Sequence, residues 1–195
     1  KDYGMLARIF DYAEESDYIK KNFFRGFNKI EKTQSKIATK QVNPMTFDEE
    51  KRFKQYLITD THPYRNLVLI ELYTGMRLGE TLALNTSDVD IHSNTISVSK
   101  ILTHDENHKP YIHDSTLSQT KDGARLVQIN DIFRNNVIEA MTNAEANEYN
   151  KEKLLFCQDN GSLILESSVN SYLKRVAKEI GLSYWKEFSS HRLRH

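Results

Sequence analysis

The sequence predicts an α+β fold that is mostly helical and carries a small antiparallel sheet. Apolar residues recur at helical spacing in several segments that have recognisable helix caps. Residues 95–99 and 124–129 instead alternate apolar and polar side chains, as half-buried strands do. A polar, lysine-rich stretch at residues 31–43 separates a first helical segment from the rest. We therefore expect two units joined by a basic linker.

The first unit is predicted to be helical and incomplete. Leu6, Ile9, Phe10 and Ala13 share one helix face, yet residues 1–30 contain too few apolar side chains to form a core alone. We expect these residues to be the end of a helical domain that begins earlier in a longer protein.

The second unit, residues 44–195, opens with three predicted helices. Thr46 and Glu49 have the spacing of a capping box, which predicts a helix to about Ile58. Pro63 suits the first turn of the next helix, and Gly75 is a plausible C-terminal cap for it. A short helix is expected over residues 77–84.

The remaining elements are one hairpin and more helices. The two alternating segments are predicted to pair, and residues 104–123 between them to form an exposed connection with its turn at Asp122 and Gly123. Helices are expected at about 131–148 and 166–180, and residues 188–195 have the pattern of a further helix start.

Charge and cysteine content restrict the function classes. The net charge is zero, but residues 20–40 contain seven bases and one acid. Such a strip can bind a phosphate backbone, with Lys32, Lys36 and Lys40 as candidate contacts, or it can simply be a solvated linker. Cys157 is the single cysteine, so no internal disulfide is possible, and a reducing cytoplasm is the expected location.

Arg77 is the first candidate for site chemistry. It follows Gly75 in the segment TGMRLGE at residues 74–80, at the junction of two predicted helices. A guanidinium at a helix start is well placed to bind two oxygens of a phosphate group. Glu80 lies three residues later and could brace Arg77, although each residue alone is also typical of a helix surface.

The last five residues, HRLRH, supply a second group. His191 and Arg194 are three residues apart and share a helix face. An arginine can neutralise phosphate charge there, while an imidazole can move a proton near neutral pH. His191 and His195 also have the spacing of metal ligands, but the arginines between them disfavour a bound cation. We expect no metal site.

These segments together resemble the tyrosine recombinases of the phage integrase family. The stretch from Tyr73 to Asp90 resembles the family's first conserved box, and HRLRH resembles the start of its second. Lys121, a lysine in the predicted hairpin that is otherwise typical of a solvated loop, fits the family's lysine position. Residues 1–30 resemble the end of its core-binding domain, and residues 44–195 resemble a catalytic domain that lacks its C-terminal part.

The resemblance implies site-specific DNA recombination of a phage or mobile element, without metal or cofactor. Arg77 and Arg194 would hold the scissile phosphate, His191 would act as general acid/base, and Lys121 would protonate the leaving oxygen. Glu80 and His195 would support them. Implied partners are double-stranded attachment sites, further copies in a tetramer, and an excisionase or a DNA-bending host factor. The implied location is the bacterial cytoplasm, at the nucleoid.

Three departures from the family pattern accompany the resemblance, one of which is that the core-binding domain is incomplete, so the clamp that encircles DNA is expected not to close. The family's nucleophilic tyrosine lies beyond the second box, so this chain is expected to hold a phosphate without cutting DNA. A strict alignment of the hairpin could place Gln119, rather than Lys121, at the lysine position. The alternatives are a DNA-binding relative that never cleaves and a metal-dependent nuclease. Cys157 and the histidines His104, His108 and His113 are expected to be packing and loop residues.

Overall fold

The computed structural model describes residues 2–22, 44–114 and 124–193. The chain divides into two compact units, residues 1–42 and 43–195. In the first unit, helix α1 spans Asp2–Glu15. Asn22 follows it and donates a hydrogen bond from Nδ2 to Oδ1 of Asp11 at 2.9 Å, which fastens the chain after the helix back onto α1.

The second unit has an α+β fold, as predicted. Its helices among the described residues are α2 (Phe47–Thr59), α3 (Arg65–Thr74), α4 (Leu78–Leu82), α5 (Asp131–Ala146), α6 (Glu166–Glu179) and α7 (Ser190–Leu193). Its strands are β1 (Val89–Asp90), β2 (Thr95–Val98), β3 (Lys100–His104), β4 (Pro110–Asp114) and β5 (Arg125–Gln128). All of the strand pairs are antiparallel.

The caps expected near the start of this unit are present. The Thr46 side chain accepts from the Glu49 N–H, and the Glu49 carboxylate accepts from the Thr46 N–H at 2.8 Å. Helix α3 ends at Gly75, whose φ of 65° is the left-handed conformation that glycine adopts without strain. Pro63 precedes the observed start of α3 by two residues rather than lying in its first turn.

The strands form two separate antiparallel groups. Strands β1, β2 and β5 make one sheet in that order, with Val98 opposite Arg125 and Ile96 opposite Val127. Strands β3 and β4 form a hairpin of their own, which the sequence analysis missed. Residues 104–123 are therefore wrongly predicted as one connection, and the predicted turn at residues 122–123 lies outside the described part of the chain.

Helices α2, α3, α5 and α6 enclose one hydrophobic core with the inner face of the three-stranded sheet. The largest fully buried side chains include Phe53, Phe133, Phe188, Ile70 and Leu173. Helix α4 lies against β3 so closely that a Cβ on Gly79 would stand 3.1 Å from the Leu102 carbonyl oxygen. Glycine at this position thus permits the contact between α4 and the β3–β4 hairpin.

Candidate functional site

Arg77 occupies the residue immediately before α4. Its extended backbone (φ −73°, ψ 146°) turns the chain from the end of α3 into the first turn of α4. The Arg77 N–H donates to Oε2 of Glu80 at 2.8 Å, so this N–H caps the helix and does not face an outside anion. The phosphate-binding capacity expected of this position must therefore come from the guanidinium, whose side chain is 41% exposed.

Glu80 is the buried centre of the charge cluster around Arg77. Its side chain is only 6% exposed, and its Oε1 accepts a hydrogen bond from Nη1 of Arg77 at 3.0 Å. The spacing of Arg77 and Glu80 predicts that Glu80 braces Arg77, and the two side chains do form this ion pair. The same carboxylate also binds a cation that is distant in sequence.

That cation is Arg125, the first residue of β5, which the sequence analysis did not single out. Its Nη1 donates to Oε1 of Glu80 at 3.1 Å, and its Nη2 donates to Oε2 at 2.7 Å. This is a two-point contact, the strong form of the arginine–carboxylate interaction. The sequence could have pointed to Arg125, because a basic residue on the inward face of a predicted strand requires an acidic partner.

The contacts among the described residues join the Glu80 carboxylate to two guanidiniums. Burial alone would raise the pKa of Glu80, but the hydrogen bonds from Arg125 and from the Arg77 N–H outweigh burial and hold that pKa below its usual value. Glu80 is therefore ionised at neutral pH. The two guanidiniums that bind it each reach solvent, with 41% and 39% of their side chains exposed.

Helix α7 carries the described part of the second box. His191 is exposed, whereas Arg192 and Leu193 are buried, so His191 and Leu193 face different directions as expected. Arg192 lies over the ring of Tyr184 at 4.1 Å from its centroid. The helix packs against α3 and α6, and the Ser190 N–H donates to the Asn170 side chain at 3.0 Å.

Several expected site residues lie outside the described residues. Arg194 and His195 follow the last described position, and the hairpin segment with Gln119 and Lys121 falls in residues 115–123. The candidate backbone contacts in the basic strip fall in residues 23–43; they are Lys32, Lys36 and Lys40. Of the expected site residues, the structure therefore describes Arg77, Glu80 and His191, and Arg125 joins the first two in one charge cluster.

The histidines expected in a loop have two different settings. His104 ends β3 and His113 lies within β4, so the expectation of loop residues was wrong for both. His108 does lie in the turn between these strands, with a φ of 60°. Within residues 2–22, 44–114 and 124–193, no group of three metal-binding side chains is close enough to hold an ion.

The surroundings of Cys157, Tyr172 and Tyr184 fit packing roles rather than catalysis. Burial raises the pKa of the Cys157 thiol, which disfavours the reactive thiolate. Tyr172 donates to Oδ2 of Asp60, and Tyr184 donates to Oε2 of Glu49.

No helix in the part of the chain that the structure describes is long and apolar enough to span a membrane.

Several solved structures share this mostly helical fold with its small antiparallel sheet. The Tn1549 transposon integrase in complex with transposon right end DNA aligns with a TM-score of 0.73 and 22% identity, covering all of this chain and 62% of that one. XerA recombinase aligns with a TM-score of 0.59 over 78% of this chain and 48% of its own, at 22% identity.

Sequence comparisons give the family. The pattern of the phage integrase family matches residues 43–195, so the chain belongs to that family. An integrase of Staphylococcus phage L54a is 24% identical over 82% of this chain and 48% of its own length. A XerC-like tyrosine recombinase of Caldanaerobacter subterraneus is 24% identical over 98% of this chain and 52% of its own. The chain thus spans about half the length of these curated relatives.

Proposed function

We propose that this chain is part of a site-specific DNA recombinase that integrates or excises a phage or another mobile element. The observation that carries the proposal is the family match over residues 43–195, because the matched range contains both TGMRLGE and HRLRH. The ion pair between Arg77 and Glu80 supports it, since a braced and partly exposed guanidinium suits phosphate binding.

The proposed chemistry is a metal-free transesterification at one phosphodiester. A tyrosine oxygen attacks phosphorus, a 3′-phosphotyrosine bond forms, and the bond to the 5′-oxygen breaks. Arg77 and Arg194 would stabilise the charge that develops on the phosphate oxygens. His191 would exchange the proton of the attacking hydroxyl, and Lys121 would give a proton to the departing 5′-oxygen.

The attacking tyrosine is proposed to lie in a segment beyond His195. The tyrosines that precede the second box are engaged in packing, since the hydroxyls of Tyr172 and Tyr184 bind carboxylates of other helices or loops. This chain alone would then bind DNA without forming a covalent bond to it. His195 is proposed to support the site from the end of the second box.

The proposed domain organisation follows the same family. Residues 1–30 would end a core-binding domain, and residues 31–43 would be a linker whose Lys32, Lys36 and Lys40 contact the DNA backbone. The whole protein would act as a tetramer on double-stranded attachment sites, with an excisionase or a DNA-bending host factor. Its proposed location is the bacterial cytoplasm, at the nucleoid.

The test is adduct formation by the whole protein on a nicked attachment-site duplex, resolved on a denaturing gel in the presence of EDTA. We expect a covalent protein–DNA band that persists without divalent metal. Arg77→Ala should reduce its rate roughly 100-fold or more, the usual loss when a transition-state donor is removed. The matched control is Arg175→Ala, which removes an arginine paired with Asp60 and should leave the rate unchanged. Dependence on metal would refute the proposal.

A further inference from the structure

Glu80 is shared by two arginines that approach it differently. Arg125 binds both carboxylate oxygens with both of its terminal nitrogens, at 3.1 and 2.7 Å. The guanidinium contact of Arg77 with Glu80 uses Nη1 at 3.0 Å, and its backbone N–H binds the other oxygen. Arg125 thus has the two-point geometry, while Arg77 holds the carboxylate with one end of its guanidinium.

The two contacts compete for the same acceptor. A carboxylate has about four lone-pair positions on two oxygens, and a two-point arginine contact is its strongest pairing. A carboxylate that is 6% exposed cannot replace a lost cation with bulk water, so it binds the remaining cation more tightly. If Arg125 were absent, the guanidinium left in contact with Glu80 among the described residues would be that of Arg77.

We propose that Arg125 is a positioning residue that occupies both oxygens of Glu80 and so prevents the guanidinium of Arg77 from closing a two-point contact with this carboxylate and turning away from a phosphate group. This rests on the proposed role of Arg77 in phosphate binding. Without Arg125, Arg77 would turn into the two-point contact with Glu80 and withdraw from the phosphate. Arg125 therefore acts on the site through the carboxylate, not by contact with DNA.

The fold gives Arg125 an independent anchor for this role. It lies opposite Val98 in the β2–β5 pair, so its backbone position is fixed by the three-stranded sheet. Arg77 is instead fixed by the α3–α4 junction, and α4 packs on the separate β3–β4 hairpin. Because the two arginines are anchored in different elements, removal of one leaves the backbone of the other in place.

The experiment measures phosphate binding to this chain by NMR of the arginine Nε–Hε signals, with inorganic phosphate as the probe. The signals of Arg77 and Arg125 are assigned from the spectra of Arg77→Lys and Arg125→Lys. In the unaltered chain, phosphate should shift the Arg77 signal. In Arg125→Gln, we expect phosphate to bind roughly tenfold more weakly at Arg77, as a new two-point ion pair requires.

A second substitution separates positioning from structural support. Glu80→Gln in the Arg125→Gln background removes the competing charge, so the phosphate-dependent shift of Arg77 should return. A purely structural role of Arg125 would not be rescued in this way. Thermal unfolding of both variants shows whether they fold, and Arg65→Gln, which removes an arginine paired with Glu139, is the matched control that should leave the shift unchanged.

Three other outcomes of this experiment are possible, and each of them contradicts a specific statement. If Arg77 of the unaltered chain does not respond to phosphate, the proposed phosphate role of Arg77 is wrong, and the inference falls with it. If Arg77 responds but Arg125→Gln leaves the response unchanged, only the inference is wrong. If both the single and the double variant lose the response, Arg125 contacts phosphate or supports the fold directly, and positioning through Glu80 is refuted.

Discussion

Glu80, in the first turn of α4, and Asp60, at the end of α2, are two little-exposed carboxylates with opposite surroundings. Glu80 binds two guanidiniums and a backbone N–H. Asp60 accepts from the Tyr172 hydroxyl at 2.7 Å and from the His62 N–H at 3.2 Å, with one arginine, Arg175, 3.6 Å away. One carboxylate is surrounded mainly by positive charge, and the other mainly by neutral donors.

The Asp60 region is an anchor for packing. Tyr172 is buried in the core, and the His62 ring stacks on it with centroids 4.2 Å apart, so these contacts fix the α2–α3 loop to α6. At Glu80, the guanidiniums of Arg77 and Arg125 both bind the carboxylate and both reach solvent. The two carboxylates thus share a low exposure and differ in the charge of the groups that bind them.

The largest expected difference between the two regions is in the phosphate response of Arg77 when each carboxylate is replaced by alanine. Glu80→Ala and Asp60→Ala should each lower the free energy of unfolding by about 2 kcal/mol, because each removes an acceptor of several hydrogen bonds. Only Glu80→Ala should change the response of Arg77 to inorganic phosphate in NMR spectra. An equal change in Asp60→Ala would erase the distinction between the two regions.

Acid unfolding gives the next largest effect. Burial tends to raise the pKa of both carboxyls, but hydrogen bonds from Arg125 and Tyr172, respectively, hold both below their usual values. A lowered pKa in the folded state adds stability above the unfolded value, 4.5 for Glu80, and this stability is lost as pH falls through the folded value.

The free energy of unfolding, measured with urea, should therefore fall progressively below about pH 4.5 as these two groups take up protons. Glu80→Gln and Asp60→Asn should each flatten the curve in that range, and the double variant should flatten it further. A curve unchanged by both substitutions would contradict the ionised state assigned to these carboxylates.

The smallest expected effect comes from removing the Tyr172 hydroxyl, the neutral donor that binds Asp60. Tyr172→Phe removes only the hydroxyl that binds Asp60, so thermal unfolding should show a loss of about 1 kcal/mol. The phosphate response of Arg77 should not change. Tyr184→Phe is a comparable control, since its hydroxyl binds Glu49 at 2.8 Å in the capping box of α2. A loss of phosphate binding in Tyr172→Phe would contradict the independence of the Asp60 and Glu80 regions.

The helix ends were predictable because their signals are local. Thr46 and Glu49 cap the same helix turn, and Gly75 adopts the left-handed conformation that its position after α3 requires. The resemblance of TGMRLGE and HRLRH to two family boxes likewise depended on short segments. Arg77 and Glu80 were recognised for that reason, since they are three residues apart on adjoining turns.

The β3–β4 hairpin was missed because its turn is made by a side chain. Asp105 accepts from the N–H groups of Asn107 and Lys109, both at 2.8 Å, so no glycine marks the turn. Arg125 was missed for a different reason. Its partner Glu80 is 45 residues away, and only the pairing of β5 with β2 brings the two side chains together.

The alignment of β5 on β2 has a consequence for folding errors. Arg125 and Val127 face inward along β5, while Leu126 between them is 71% exposed. A shift of one residue in the pairing would exchange these faces, since strand side chains alternate. Leu126 would then enter the space beside Glu80, and Arg125 would point into solvent. A misaligned molecule would thus lose the two-point contact between Arg125 and Glu80, so an error in strand pairing would break up the charge cluster as it destabilised the domain.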